Sequence, residues 1–165
     1  MPIIYIETSS LAKRYVDEKG TQTLDDLFEG RRPTEFFVIS TLAALELKSV
    51  LRRLVRGGRI SEAQYQDLIA DFAKDVPAIS LVLPVDNRLV EEAGAALEKH
   101  PLRAGDALHF AAILRANQIA EETGQSLVVV TSDSDILDAC GQEGIKTLDP
   151  AEDNASEELR RLREG

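Results

Sequence analysis

Four carboxylates stand where a folded chain can use them together: Glu7, Glu46, Asp106 and Asp133. Their separations of 39, 60 and 27 residues mean that only tertiary structure can bring them to one place. Four such groups converging without cationic partners repel, and some must then stay protonated. A divalent cation removes that conflict, and an all-oxygen donor set of this kind favours Mg2+ or Mn2+ over zinc. Such ions serve phosphoryl chemistry by activating water and by stabilising charge on a leaving oxygen. The rest of the side-chain inventory offers no rival. No Ser–His–acid arrangement and no glycine-rich phosphate loop is visible.

The elements around the four acids predict how they meet. Pro2–Ile6 is a short apolar, β-branched run that reads as a buried strand, and Glu7 follows it directly. Ser9–Asp17 reads as a helix stopped by Gly20, and Thr21–Gly30 as another. Phe36–Ile39 predicts a second strand. Thr41–Arg56 then predicts a strong helix, with Ala43, Leu47, Val50 and Leu54 as its stripe and Glu46 near its start. Ser61–Gln64 is a capping-box start for a helix running to about Lys74. Ile79–Leu83 is a third strand, Asp86–Lys99 a helix, and Asp106–Thr123 a long helix that Asp106 opens. Leu127–Val130 is a strand, with Asp133 after Thr131 and Ser132; Ser134–Cys140 is a short helix and Ile145–Leu148 the last strand.

Continuous apolar strands alternating with helices imply a mainly parallel sheet covered on both faces, a three-layer doubly wound α/β domain. Such folds place their sites beyond the carboxyl ends of the strands, near the topological switch point. That is where all four acids fall. Each also has a plain structural use. Glu7 can cap the first helix, Glu46 can lie solvated at the margin of an apolar stripe, Asp106 can be a first-turn acid, and Ser132 with Asp135 can form a capping box around Asp133. Their shared placement favours the common site.

The chain has 165 residues, one Cys, two His and a net charge of −10. One domain over residues 1–150, followed by a charged tail at 151–165 that is a solvated or partner-docked helix, accounts for the length. The cysteine count forbids an internal disulfide framework, and with two histidines makes a structural zinc site a poor fit. No apolar run reaches membrane-spanning length and the N-terminus lacks a signal-peptide pattern, so a cytoplasmic protein is expected. The acidity argues against non-specific DNA coating or adhesion to anionic membrane, but not against a nucleic-acid substrate held through cations.

The four motifs resemble those of PIN-domain proteins. Ile4-Tyr5-Ile6-Glu7-Thr8-Ser9-Ser10-Leu11 resembles the family's opening strand and turn. Thr41-Leu42-Ala43-Ala44-Leu45-Glu46, followed by Leu51-Arg52-Arg53, resembles its second acidic motif, and Leu102-Arg103-Ala104-Gly105-Asp106-Ala107-Leu108-His109 its third. Val129-Val130-Thr131-Ser132-Asp133 is similar to the fourth. The match runs in order from about Pro2 to Pro150, and size and acidity suggest the VapC type, the toxin half of a toxin–antitoxin pair. The resemblance implies a Mg2+- or Mn2+-dependent endoribonuclease with Glu7, Glu46, Asp106 and Asp133 as metal-binding acids, a homodimer, and a small antitoxin protein as partner. The chain departs from the family at the first acid, usually Asp and here Glu7. One extra methylene moves the carboxylate oxygens by roughly 1 Å, a large shift for octahedral Mg2+. A PIN-like binding module with weak or no nuclease activity is therefore one alternative. A receiver-like phosphoacceptor domain, also doubly wound with strand-end acids, is another.

Several neighbours have two readings. Thr8 or Ser9 is expected to cap the first helix, with orientation of the acids as the alternative. Thr131 either bonds the acid cluster or simply ends a strand, and Asp135 is either a cap or a water-mediated fifth ligand. His109 lies one turn from Asp106 but within an apolar run, so a buried structural histidine is expected. Cys140 is expected to be packing. Lys48, Arg52, Arg53, Arg56 and Arg59 form a basic stretch without an acid, which is either a solvated helix face or a phosphate track leading to the acids. Lys13 and Arg14 are candidates for the same RNA-binding role.

Overall fold

A computed structural model describes residues 2–164. Five parallel strands form one sheet in the order β3-β2-β1-β4-β5: β1 (Pro2–Ile6), β2 (Phe36–Ser40), β3 (Ile79–Leu83), β4 (Ser126–Val130) and β5 (Lys146–Leu148). The helices are α1 (Thr8–Leu11), continued by a 3-10 turn over Ala12–Arg14, α2 (Thr21–Glu29), α3 (Thr41–Arg56), α4 (Glu62–Asp75), α5 (Asn87–Leu97), α6 (Ala104–Glu122), α7 (Ser134–Gln142) and α8 (Ala155–Glu164). The expected three-layer doubly wound domain is what forms, with a wholly parallel sheet. Its strand order also separates it from receiver domains, which run 2-1-3-4-5, so that alternative falls.

Strand alternation builds the two cores. Ile3, Tyr5, Val38, Leu127 and Val129 face α5, α6 and α7. Ile4, Ile6, Phe37, Ile39, Val128 and Val130 face the helices α1–α4 and α8. With both faces covered, the strands must be apolar throughout, which is why they read as unbroken runs. Helix α6 contributes Ala107, Phe110, Ala111, Ala112, Ile113, Ala116 and Ala120 to one core. Its small side chains let it lie close against the sheet.

Two elements differ from the sequence reading. The first helix ends in its 3-10 turn at Arg14 instead of reaching Asp17. Arg14 is drawn to Asp25, Glu29 and Asp75, and the Tyr15 hydroxyl donates to Asp75, so long-range partners end the helix. Gly20, expected to stop that helix, sits before α2 at φ 103°, and a Cβ there would lie 2.8 Å from the Pro150 carbonyl oxygen. The charged tail forms α8, which packs Ala155, Leu159 and Leu162 on the chain's own core. Arg163 there holds the buried Glu35. Among the described residues no helix is long and apolar enough to cross a membrane.

Candidate functional site

The chain runs from β1 to β2 and β3 on one side and returns through β4 and β5 on the other, so the switch point lies between β1 and β4. Ile6 pairs with Val130 there, which places Glu7 and Thr131 side by side just past the strand ends. Glu7 is buried and is the N-cap of α1. Its Oε2 accepts from the Ser9 amide at 2.9 Å, the Ser9 hydroxyl at 2.5 Å and the Thr131 hydroxyl at 2.9 Å. Three donors on one oxygen hold the carboxylate, and Oε1 lies 3.9 Å from His109 Nε2.

Glu46 comes from the second turn of α3, a helix capped by the Ser40 hydroxyl on the Ala43 amide. Its Oε2 accepts from the Thr8 hydroxyl at 2.5 Å and from His109 Nε2 at 2.7 Å. Burial raises the Glu46 carboxyl, but the hydrogen bonds from His109 and Thr8, together with the nearby charge of Arg53, outweigh it and leave the group below its ordinary range. Gly105 in the first turn of α6 faces the other oxygen: a Cβ there would lie 3.4 Å from Glu46 Oε1.

Asp106 and Asp133 enter from helix N-termini. Asp133 caps α7, its Oδ1 accepting the Ile136 amide at 3.0 Å, and Asp106 is in the first turn of α6. Both positions put a carboxylate at the positive end of a helix. Burial raises the Asp106 carboxyl above its usual range, and the charges of Asp133 and Glu7 push it the same way.

Ligand atoms of Glu7, Glu46 and His109 lie within 4.8 Å of one another, and so do those of Asp106, Asp133 and Asp135. The four expected acids thus divide between two groups at one sheet edge. This donor set fits a divalent cation: mostly hard oxygens, with Glu7, Glu46 and Asp133 each held through one oxygen, and mutual repulsion that bears on Asp106.

The neighbours resolve as follows. Thr8 and Ser9 do not cap α1, because Glu7 does; their hydroxyls instead orient Glu46 and Glu7. Thr131 bonds Glu7, and Asp135 joins Asp106 and Asp133 on the exposed side. His109 is 1% exposed, as expected of a core histidine, but its partners are Glu46, Thr8 and Tyr5. The spacing of His109 from Asp106 is the one signal that pointed to this placement. Cys140 is buried in apolar surroundings, its thiol pushed up to about 12, which suits packing.

The basic candidates separate. Lys13 is buried beside Glu18 at 3.6 Å, and Arg14 is held by Asp25 at 2.6 Å, Asp75 at 3.1 Å and Glu29 at 3.2 Å. Both are thus paired with acids within the fold. Arg52 stacks over the Tyr65 ring at 3.6 Å and pairs with Glu62 at 2.6 Å, tying α3 to α4. Arg53 and Arg56 remain exposed, and Arg53 is near enough to Glu46 for its charge to be felt.

A five-strand parallel sheet with acids gathered beyond the ends of β1 and β4 defines a PIN-like α/β domain. The chain belongs to the PIN-domain family, whose model matches residues 4–142. Solved structures share the fold. VapC20 of Mycobacterium tuberculosis, described as a sarcin–ricin loop cleaving toxin, is 20% identical with a TM-score of 0.56 and covers 82% of this chain and 94% of its own. PAE2754 of Pyrobaculum aerophilum is 20% identical, with a TM-score of 0.58 and coverage of 98% and 96%. FitAcB of Neisseria gonorrhoeae is 14% identical, with a TM-score of 0.61 and coverage of 89% and 97%. No curated protein matches the chain.

Proposed function

We propose that the chain is a metal-dependent endoribonuclease that hydrolyses RNA phosphodiester bonds, as the toxin of a type II toxin–antitoxin pair. The observation that carries this reading is that Glu7 with Glu46, and Asp106 with Asp133, form two groups of ligand atoms, with Glu7 and Asp133 just past the ends of the paired strands β1 and β4. These four would hold Mg2+ or Mn2+, with Asp135 at the outer margin. A bound ion of this kind lowers the pKa of its water and stabilises charge on a leaving oxygen.

The chain's own residues do the positioning. Ser9 and Thr131 orient Glu7, Thr8 and His109 orient Glu46, and the Ile136 amide orients Asp133. Arg53, seven residues along α3 from Glu46, and Arg56 beyond it supply the cationic approach that a phosphate chain needs beside a cluster of acids. PIN-family membership supports the nuclease chemistry. Structures of FitAB, of VapBC-1 from nontypeable Haemophilus influenzae and of a toxin–antitoxin complex from Klebsiella pneumoniae share the fold and support an antitoxin partner. Homodimerisation and a cytoplasmic setting complete the reading.

Single-turnover cleavage of a structured RNA, run beside a binding isotherm, tests it. Asp106→Asn is expected to slow cleavage at least about 100-fold while leaving RNA affinity unchanged or higher. Normal cleavage by that variant in Mg2+ overturns the four-acid site. The glutamate at position 7 favours a second reading, a PIN-like binding module. Wild type that binds Mn2+ but cleaves nothing, with activity appearing in Glu7→Asp, selects it.

A further inference from the structure

We infer that Tyr5 and His109 are positioning residues for Glu46: together they tie one carboxylate oxygen inside the protein and leave the other for a divalent cation. This rests on the metal reading above and deepens it. A carboxylate only accepts hydrogen bonds, so His109 Nε2, 2.7 Å from Glu46 Oε2, must carry the proton. In the neutral ring Nδ1 is then an acceptor, and the Tyr5 hydroxyl stands 3.1 Å from it. Tyr5 is fully buried, and a phenol carries its proton at neutral pH, so its hydroxyl donates to that nitrogen. The Ser40 hydroxyl lies 3.5 Å from the same nitrogen. The two rings meet edge to face at 6.4 Å and 80°, which sets the imidazole plane.

The consequence falls on Glu46. Oε2 takes both the imidazole N–H and the Thr8 hydroxyl, while Oε1 turns toward the first turn of α6, where Gly105 leaves room for it. Asp106 and His109 are three residues apart on that same helix. One short segment therefore presents a carboxylate to one group of acids and steers a carboxylate of the other. A histidine serving only the core has no need of two glutamates near Nε2, one at 2.7 Å and one at 3.9 Å.

The test uses the full chain and needs no RNA. The imidazole tautomer is read by long-range 1H–15N correlation in 15N-histidine-labelled, metal-free protein. With only two histidines, His109→Gln assigns the signals. Mn2+ affinity is read by calorimetry alongside thermal melts. His109 is expected as the Nε2–H form in wild type and in Tyr5→Phe, because the Glu46 carboxylate fixes the proton in both, with the Tyr5→Phe ring less firmly held. Groups that orient metal ligands typically contribute about 10–100-fold in metal affinity, so His109→Ala is expected to weaken Mn2+ by that factor and Tyr5→Phe by a smaller one. The amide donor of His109→Gln should restore affinity to within about 3-fold. If His109→Ala fails to fold, Tyr5→Phe, which removes one hydroxyl, carries the test. An Nδ1–H tautomer, or folded variants that bind Mn2+ as wild type does, overturn the positioning role alone. Wild type that binds no Mn2+ overturns the metal reading and this inference with it.

Discussion

Arg163 gives the sharpest test of whether the C-terminal helix belongs to the domain. Its side chain is 11% exposed and that of Glu35 is 1% exposed. The guanidinium grips the carboxylate with two bonds, Nε to Oε1 at 2.6 Å and Nη2 to Oε2 at 3.0 Å. It also donates to the backbone carbonyls of Asp26 at 3.0 Å and Leu27 at 2.9 Å. Arg163→Ala leaves Glu35 buried with the Arg32 amide as its remaining donor, at 3.0 Å, and takes the donor from the Leu27 carbonyl, while the Asp26 carbonyl keeps the Gly30 amide at 3.1 Å. Breaking a buried pair from one side costs about 3–5 kcal/mol. That is a large part of a total stability of about 5–15 kcal/mol. At about 2–4 °C per kcal/mol for a chain of this size, the melting point falls by about 6–20 °C. Removing both charges, with Glu35→Leu and Arg163→Met, should restore most of the loss, because apolar replacement of a buried pair is often neutral. Urea and thermal unfolding of wild type and the two variants measure this, with limited proteolysis to follow release of α8. A loss below about 1 kcal/mol for Arg163→Ala refutes the reasoning, since a desolvated carboxylate cannot be abandoned so cheaply.

Saturating Mn2+ should raise stability by about 2.7 kcal/mol at one hundred times its Kd; an unchanged melting point at that concentration denies a preformed site. Arg53→Ala should weaken RNA binding and flatten its log–log salt dependence by up to about one unit, sparing cleavage at saturating RNA. An unaltered slope returns Arg53 to a solvated face. The pH dependence of the metal-free protein follows from Asp106 and Glu46, whose shifts have opposite signs. Asp106 has a raised folded-state pKa, so its ionisation lowers stability as pH climbs from the ordinary carboxylate range through that raised value. Asp106→Asn should therefore be more stable than wild type at neutral pH, and lose the advantage as pH falls to the ordinary carboxylate range. Glu46 is lowered, so its contribution is present above the ordinary range and is lost as pH falls through the depressed value. Chemical denaturation across pH 3–8, wild type against Asp106→Asn, reads both effects; equal stability at neutral pH counts against repulsion at Asp106.

What the sequence revealed depended on whether an element is governed locally. The stripe of Ala43, Leu47, Val50 and Leu54 and the following Gly57 bound α3 at Thr41–Arg56, as expected. Ser61 and Gln64 form the reciprocal capping box their spacing predicts. Strand polarity placed the acids, because Glu7 and Asp133 follow neighbouring parallel strands and must share an edge. Long-range pairings were not legible. The α1 boundary is set by Asp75, 60 residues from Tyr15 in sequence, and α8 docks through Glu35, 128 residues from Arg163. His109 was recognisable as buried from its apolar run, yet its bond to Glu46 spans 63 residues. No periodicity encodes such a contact; only the folded sheet edge does.

The structural and chemical uses of these acids proved to be the same use. Glu7 caps α1, as the plain reading of the sequence allows, and Asp133, in place of the expected Ser132–Asp135 box, caps α7; a carboxylate has two oxygens and the cap occupies one. Glu46 divides in the same way, with the hydroxyl and imidazole of Thr8 and His109 on Oε2. Asp106 stands in the first turn of α6, where the helix dipole favours negative charge. Amides, hydroxyls and helix N-termini thus offset part of the repulsion among the acids, and leave the second oxygens of Glu7, Glu46 and Asp133 for a cation. Asp106 is the exception that shows the residue of that repulsion: burial and its neighbours' charges raise it, and no cap bond to α6 from its own side chain is strong enough to cancel them. In a site built this way the protein's own hydrogen bonds hold the carboxylates in shape. That argues for loss of metal affinity and rate, with little loss of fold, when one of its unpaired oxygens is removed.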